Sequence, residues 1–162
     1  MGELTEDQVK NITLRYGNDP QQLVAILLDI QEASGRNYVD QKWAELVSKI
    51  LNVSLSEIHD VLTFYAMFST KPKGEYIIEI CQSTPCHFSK AADLVQWFEQ
   101  AAGIKTGETS ADGKLSLFRT SCVGACEIGP VAKIGDEVFG NLTEQKVKTL
   151  VKCCYEGGGL HT

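Results

Sequence analysis

Cys81, Cys86, Cys122 and Cys126 form two close pairs, C-x4-C and C-x3-C, with residues 87–121 between them. Four thiolates in two pairs are a donor set for a metal centre, and their spacing bears on which one. Structural zinc sites usually pair cysteines as C-x2-C on a tight knuckle. The pairs here are wider. A [2Fe–2S] cluster contains two irons, each needing two protein ligands, and wider pairs on separate loops suit that larger object. Iron with bridging sulfide also favours soft thiolate ligands. Zinc on the same four cysteines remains the competing reading from spacing alone. Disulfides require an oxidising compartment, and nothing in the sequence directs export. Four unrelated core thiols would not be expected to fall in two pairs.

The residues inside the pairs fit a cluster. Gln82-Ser83-Thr84-Pro85 is small and polar, and Val123-Gly124-Ala125 is small throughout. Such loops leave room and can turn backbone N–H groups toward sulfur, with Gly124 free to adopt conformations that other residues resist. The remaining cysteines, Cys153 and Cys154, are adjacent in a helical pattern and so point to different faces. Cys154 reads as core and Cys153 as incidental. His87 follows a candidate ligand but reads as solvated, His59 reads as structural within a helix, and His161 lies in the tail. Glu127, beside Cys126, would lower a cluster's potential if close to it.

These residues need elements to position them. Residues 1–70 read as three or four short helices: one over Glu6–Tyr16, one started by Asp19-Pro20 with Gln22 at the third position, one capped by Asp40, and one opened by the capping box Ser54-Leu55-Ser56-Glu57. Leu23, Ile26, Leu27 and Ile30 make one apolar stripe, with Gly35 as its stop; Trp43, Leu46, Val47 and Ile50 make the next. The last stripe is Ile58, Val61, Leu62 and Tyr65. Lys71-Pro72-Lys73-Gly74 is the best internal boundary. It predicts a helical segment at 1–73 and a second domain at 74–162.

After the boundary the pattern changes to strands. Glu75–Ile80 and Leu115–Thr120 are β-rich and run toward Cys81 and Cys122. A helix is expected at Ser89–Ala102, a hairpin at Val131–Ile134 and Glu137–Gly140, and a closing helix at Thr143–Tyr155 with Val147, Leu150, Val151 and Cys154 buried. The order β, α, β, β, β, α suits an α+β or α/β domain with helices on a mixed sheet. Both cysteine pairs would then follow strand ends that can share one sheet edge.

Composition narrows the function classes. The chain has 162 residues, a net charge of −6 and 43% hydrophobic residues. Acidic residues outnumber basic ones by 10 to 7 in residues 1–74 and by 11 to 8 in 75–162, so neither part carries the basic stripe of a nucleic-acid binder. No apolar run is long enough for a membrane span. The N-terminus is polar and acidic and reads as neither signal nor transit peptide, which leads to the expectation of a bacterial or archaeal cytoplasmic protein. There is no GxGxxG, Walker loop or GxSxG elbow. Residues that would bind NAD, flavin or ATP are thus missing, and the chain reads as an electron carrier that relies on another protein for hydride chemistry.

The stretch Thr63-Phe64-Tyr65-Ala66-Met67-Phe68, then Lys71-Pro72-Lys73-Gly74 and the strand into Cys81, resembles the 24 kDa iron–sulfur subunit family of NADH dehydrogenases. Cys122-Val123-Gly124-Ala125-Cys126, Pro130 and Val131–Leu142 resemble its second half. The resemblance runs from about Thr5 to Val151. It implies an N-terminal helical bundle followed by a thioredoxin-like ferredoxin domain with a mixed sheet. It also implies one [2Fe–2S] cluster held by Cys81, Cys86, Cys122 and Cys126, with FMN and NAD(P) only on a larger partner subunit. Similar proteins serve as small subunits of NAD(P)-linked hydrogenases, including electron-bifurcating ones, and of formate dehydrogenases. The chain departs from many members at Ser89-Lys90 and Gly129-Pro130, neither of which is one of the four cysteines. A free-standing ferredoxin of the same type, or a zinc-stabilised adaptor, is the alternative function.

Overall fold

A computed structural model describes residues 4–88 and 91–157. The chain divides into two compact units, Met1–Lys73 and Gly74–Thr162.

The first unit is helical: α1 (Glu6–Arg15), a 3-10 turn (Pro20–Gln22), α2 (Leu23–Ala33), α3 (Gln41–Leu51) and α4 (Leu55–Phe64). Thr5 and Gln8 close a capping box on α1. Asp19 caps the 3-10 turn through the Gln21 N–H, Asp40 caps α3 through the Lys42 N–H, and Ser54 caps α4 through the Glu57 N–H. Each satisfies a donor that a helix start leaves unpaired. Asn52 ends α3 in the left-handed conformation. The expected stripes meet in one core of Val9, Ile12, Ile26, Ile30, Val47, Ile58 and Leu62, among others. Burying each such branched side chain contributes about 1.5–3 kcal/mol. Tyr65 departs from its expected stripe: α4 stops at Phe64, Tyr65 is extended, and the residue is 40% exposed. His59 is exposed rather than structural, one position off the Ile58–Leu62 face.

The second unit contains β1 (Tyr76–Cys81), α5 (Thr84–Phe88), α6 (Ala91–Ala102), β2 (Leu115–Thr120), a 3-10 turn (Cys126–Ile128), β3 (Ala132–Ile134), β4 (Glu137–Phe139) and α7 (Glu144–Glu156). The four strands form a mixed sheet in the order β2-β1-β3-β4. β1 and β2 are parallel, while β3 is antiparallel to both β1 and β4. Ile78, Ile80, Leu115, Leu117 and Ile134 from the sheet share a core with Leu94 and Phe98 of α6 and Val147, Leu150 and Cys154 of α7. The mixed sheet with helices over it matches the expected α+β architecture. The short helix α5, which carries Cys86, corrects the expectation of a loop between Cys81 and Cys86. Residues 89 and 90, the expected start of the next helix, lie outside the described residues, as does His161. Among the described residues no helix is long and apolar enough to cross a membrane.

Two contacts converge on Ser116 at the start of β2. Gly74 donates to the buried Ser116 hydroxyl at 2.7 Å, and that hydroxyl also meets Thr109 Oγ1 at 2.7 Å. A Cβ on Gly74 would lie 2.6 Å from the Leu115 carbonyl carbon. Gly74→Ala must therefore displace backbone, and it is expected to cost roughly 1–3 kcal/mol; denaturant unfolding that shows no loss would contradict this close approach. At the far end of α6, Glu99 accepts hydrogen bonds from the Thr106 N–H, the Thr106 hydroxyl and Lys105 Nζ at 3.0, 2.9 and 2.9 Å. The Thr106 N–H first, then Lys105, holds its carboxyl down from 4.5 to about 2. A depressed folded-state value adds stability that is fully present above pH 4.5 and lost as pH falls toward about 2. The stability gap between the native protein and Glu99→Gln is expected to narrow over that window in urea titrations; a gap that stays constant with pH would contradict the assignment.

Candidate metal centre

The parallel register of β1 and β2 sets Cys81 directly beside Thr120, two residues before Cys122. Gln82 N–H then donates to the Thr120 carbonyl at 3.0 Å, carrying the pairing one step past the strand end. Gln82 Oε1, with the amide oriented by its hydrogen-bond partners, accepts from Arg119 Nε and Nη1, both at 2.9 Å. On the other side of β1, Cys81 N–H donates to the Val131 carbonyl at 3.2 Å. Segments bearing both cysteine pairs are thereby tied to one edge of the sheet, as the strand ends led us to expect. The Gln82–Arg119 tie carried no sequence signal, because an exposed Gln and Arg 37 positions apart look like ordinary surface residues.

The two pairs differ in depth. Cys81 and Cys86 are fully buried with Val131, and Val123, Ala125 and Ile128 pack around them. Cys122 and Cys126 are exposed, their sulfurs 3.5 Å apart. Among the described residues no three His, Cys, Asp or Glu side chains converge as around a single ion. Their grouping is two by two, with charge coupling between pairs: Cys126 senses Cys86 and Cys81 as well as Cys122, and Cys122 senses Cys81.

Backbone and hydroxyl donors turn toward these sulfurs. Gly124 N–H donates to Cys122 Sγ at 3.4 Å, from a backbone φ of +86° that favours glycine. Ser83 Oγ lies 3.3 Å from Cys81 Sγ. Burial alone would raise the Cys81 thiol, but the Ser83 hydroxyl and N–H, the Cys86 thiol and the Val123 N–H outweigh it and lower the value. The Gly124 N–H, with Cys126 and Ser83 behind it, lowers Cys122. Burial and the neighbouring Cys81 raise Cys86, and the Cys122 hydrogen bond and burial raise Cys126. One thiol in each pair thus gives up its proton more readily than its partner. Thiolate is the ligating form, so a centre that removes both protons from each pair meets donors already in place for the resulting charge.

This donor set fits an iron–sulfur cluster on three observed features: four thiols in two pairs at one sheet edge, a polar donor at a sulfur of each pair, and no bulky side chain among residues 122–126. Other candidates separate cleanly. Cys154 is buried in the α7 face, and burial pushes its thiol up to about 11, a value that leaves it protonated and inert; Cys153 is half-buried beside it. His87 is exposed, as expected, and its ring packs edge-on against Phe88 at 6.2 Å. Glu127 is exposed in the 3-10 turn that follows Cys126. Ser83 was legible in the sequence only as one of the small polar residues between Cys81 and Cys86, with no sign that its own hydroxyl would meet a sulfur.

Known proteins are similar to this chain in sequence and fold. A component of the NADH-quinone oxidoreductase of Rickettsia felis is 34% identical over 125 residues, covering 77% of this chain and 75% of its own. The HndA component of the NADP-reducing hydrogenase of Solidesulfovibrio fructosivorans is 32% identical over 129 residues, covering 80% of this chain and 74% of its own. A crystal structure of NAD+-reducing [NiFe]-hydrogenase in the air-oxidized state shares the fold, with a TM-score of 0.69 at 23% identity. That match covers 81% of this chain but 23% of the hydrogenase chain. The thioredoxin-like [2Fe-2S] ferredoxin model matches residues 9–155, and the chain belongs to that family.

Proposed function

We propose that this chain is the iron–sulfur electron-transfer subunit of a multi-subunit NAD(P)H-linked oxidoreductase, a hydrogenase or an NADH dehydrogenase. The observation that carries the reading is the two cysteine pairs at one sheet edge, with the Gly124 N–H donating to Cys122 Sγ and the Ser83 hydroxyl against Cys81 Sγ. Family membership supports a [2Fe–2S] cluster over zinc on these residues. In this reading Cys81 and Cys86 hold one iron and Cys122 and Cys126 the other. The domain at 74–162 is the cluster-binding part, and the helical segment at 1–73 serves assembly. Bound there, a [2Fe–2S] cluster supplies one-electron redox chemistry. Hydride transfer moves two electrons, so the exchange partner is a flavin on a larger NAD(P)-binding subunit, and the chain is not catalytic alone.

The chain's own residues set the terms of that exchange. Cys81 and Cys86 sit away from water, whereas Cys122 and Cys126 reach the surface, where a partner can approach. Phe64, Tyr65 and Met67 stand 80%, 40% and 46% exposed at and just past the end of α4, an arrangement suited to docking on the larger subunit. Cytoplasmic location accompanies this reading, since six cysteines without a disulfide suit a compartment that keeps thiols reduced.

A cysteine series tests the ligand set. Cys122→Ser is expected to lose most of its iron on anaerobic purification, while Cys153→Ser keeps a native content; equal losses would contradict the assignment. For the assembly, affinity purification under native conditions is expected to recover a flavoprotein with this chain. Replacing both Phe64 and Met67 with Ser should weaken that recovery at least about tenfold, on the scale of a buried apolar anchor, without changing the iron per chain. Recovery of the protein alone would instead identify a free-standing ferredoxin.

A further inference from the structure

Ser83 lies between the two buried cysteines in sequence and faces sulfur in space. Its hydroxyl is 3.3 Å from Cys81 Sγ, and it is half-buried. In the free thiol state either atom of the Ser83–Cys81 contact is able to donate. Once Cys81 sulfur is bound to iron it has no proton, and only the hydroxyl donates.

We propose that Ser83 is a positioning residue that sets the reduction potential of the cluster, by donating its hydroxyl hydrogen bond to the Cys81 sulfur. The inference rests on the cysteine assignment above. Reduction adds one negative charge to the cluster and its sulfurs. A donor fixed toward sulfur stabilises that charge more than it stabilises the oxidised state, and burial of Cys81 strengthens the effect by excluding water. Ser83 therefore raises the potential. Its second contribution is to local structure: its carbonyl accepts the His87 N–H at 2.9 Å across α5. That backbone bond is independent of the hydroxyl, so the two roles separate by substitution.

The test uses the full chain purified anaerobically with its cluster, titrated by redox mediators and read by visible absorption and EPR. Ser83→Ala is expected to shift the ratio of oxidised to reduced cluster about tenfold toward oxidised at fixed ambient potential, equivalent to ~59 mV for a one-electron couple. Ser83→Thr, which keeps the hydroxyl, should stay within about threefold of the native ratio on the same scale. A Ser83→Ala shift below about threefold, or an equal shift in both variants, overturns the proposal. A Ser83→Ala chain that holds no cluster also overturns it, by assigning the residue to assembly instead. Absence of a cluster from the native protein is a different result, since it refutes the cysteine assignment itself.

Discussion

Parallel pairing of β1 with β2 is the constraint on which the rest depends. Two strands in antiparallel register would place the ends of these segments at opposite edges of the sheet. In parallel register Cys81 pairs with Thr120, and the chain reaches Cys122 two residues later on the same edge. Parallel pairing requires a crossover, which α5, α6 and the 103–114 segment supply. Much of the second unit's core, from Leu94 and Phe98 to Leu115 and Leu117, packs that crossover onto the sheet. Fold stability and the convergence of the cysteines are thus one problem: what holds α6 against β1 and β2 also holds the two cysteine segments together.

Depth then distinguishes the two pairs. Cys81 and Cys86 lie in an apolar nest with Val131, whereas Cys122 and Cys126 are open to the surface. A redox centre in such a setting meets a low-dielectric environment on one side and a partner-accessible edge on the other. N–H donors from Ser83 and Val123 favour negative sulfur at the buried Cys81, and the Gly124 N–H does the same at the exposed Cys122. Arg119, donating to Gln82, ties the end of β2 to the residue that follows Cys81.

Much of this was legible in the sequence because it follows from local rules. Asp19, Asp40 and Ser54 announced helix starts, and the run Tyr76–Ile80 announced a strand ending at a cysteine. The paired spacing of the four cysteines announced a metal centre and left its kind to the family resemblance. What escaped was set by tertiary contacts or by single-position geometry. α5 hid behind Thr84-Pro85, residues that read as a turn but also open a helix. Tyr65 kept the period of its stripe, but α4 ended one residue earlier and left the residue exposed to solvent. Ser83 and Arg119 acquire meaning only from atoms brought near them by the sheet.

The central claim is that these four cysteines hold one two-iron cluster. Spin quantitation by EPR of the dithionite-reduced, anaerobically purified protein tests it most directly when paired with iron and sulfide analysis. The account predicts about two irons, about two sulfides and about one unpaired electron per chain. One zinc with no paramagnetic signal, or roughly four irons per chain, would contradict it.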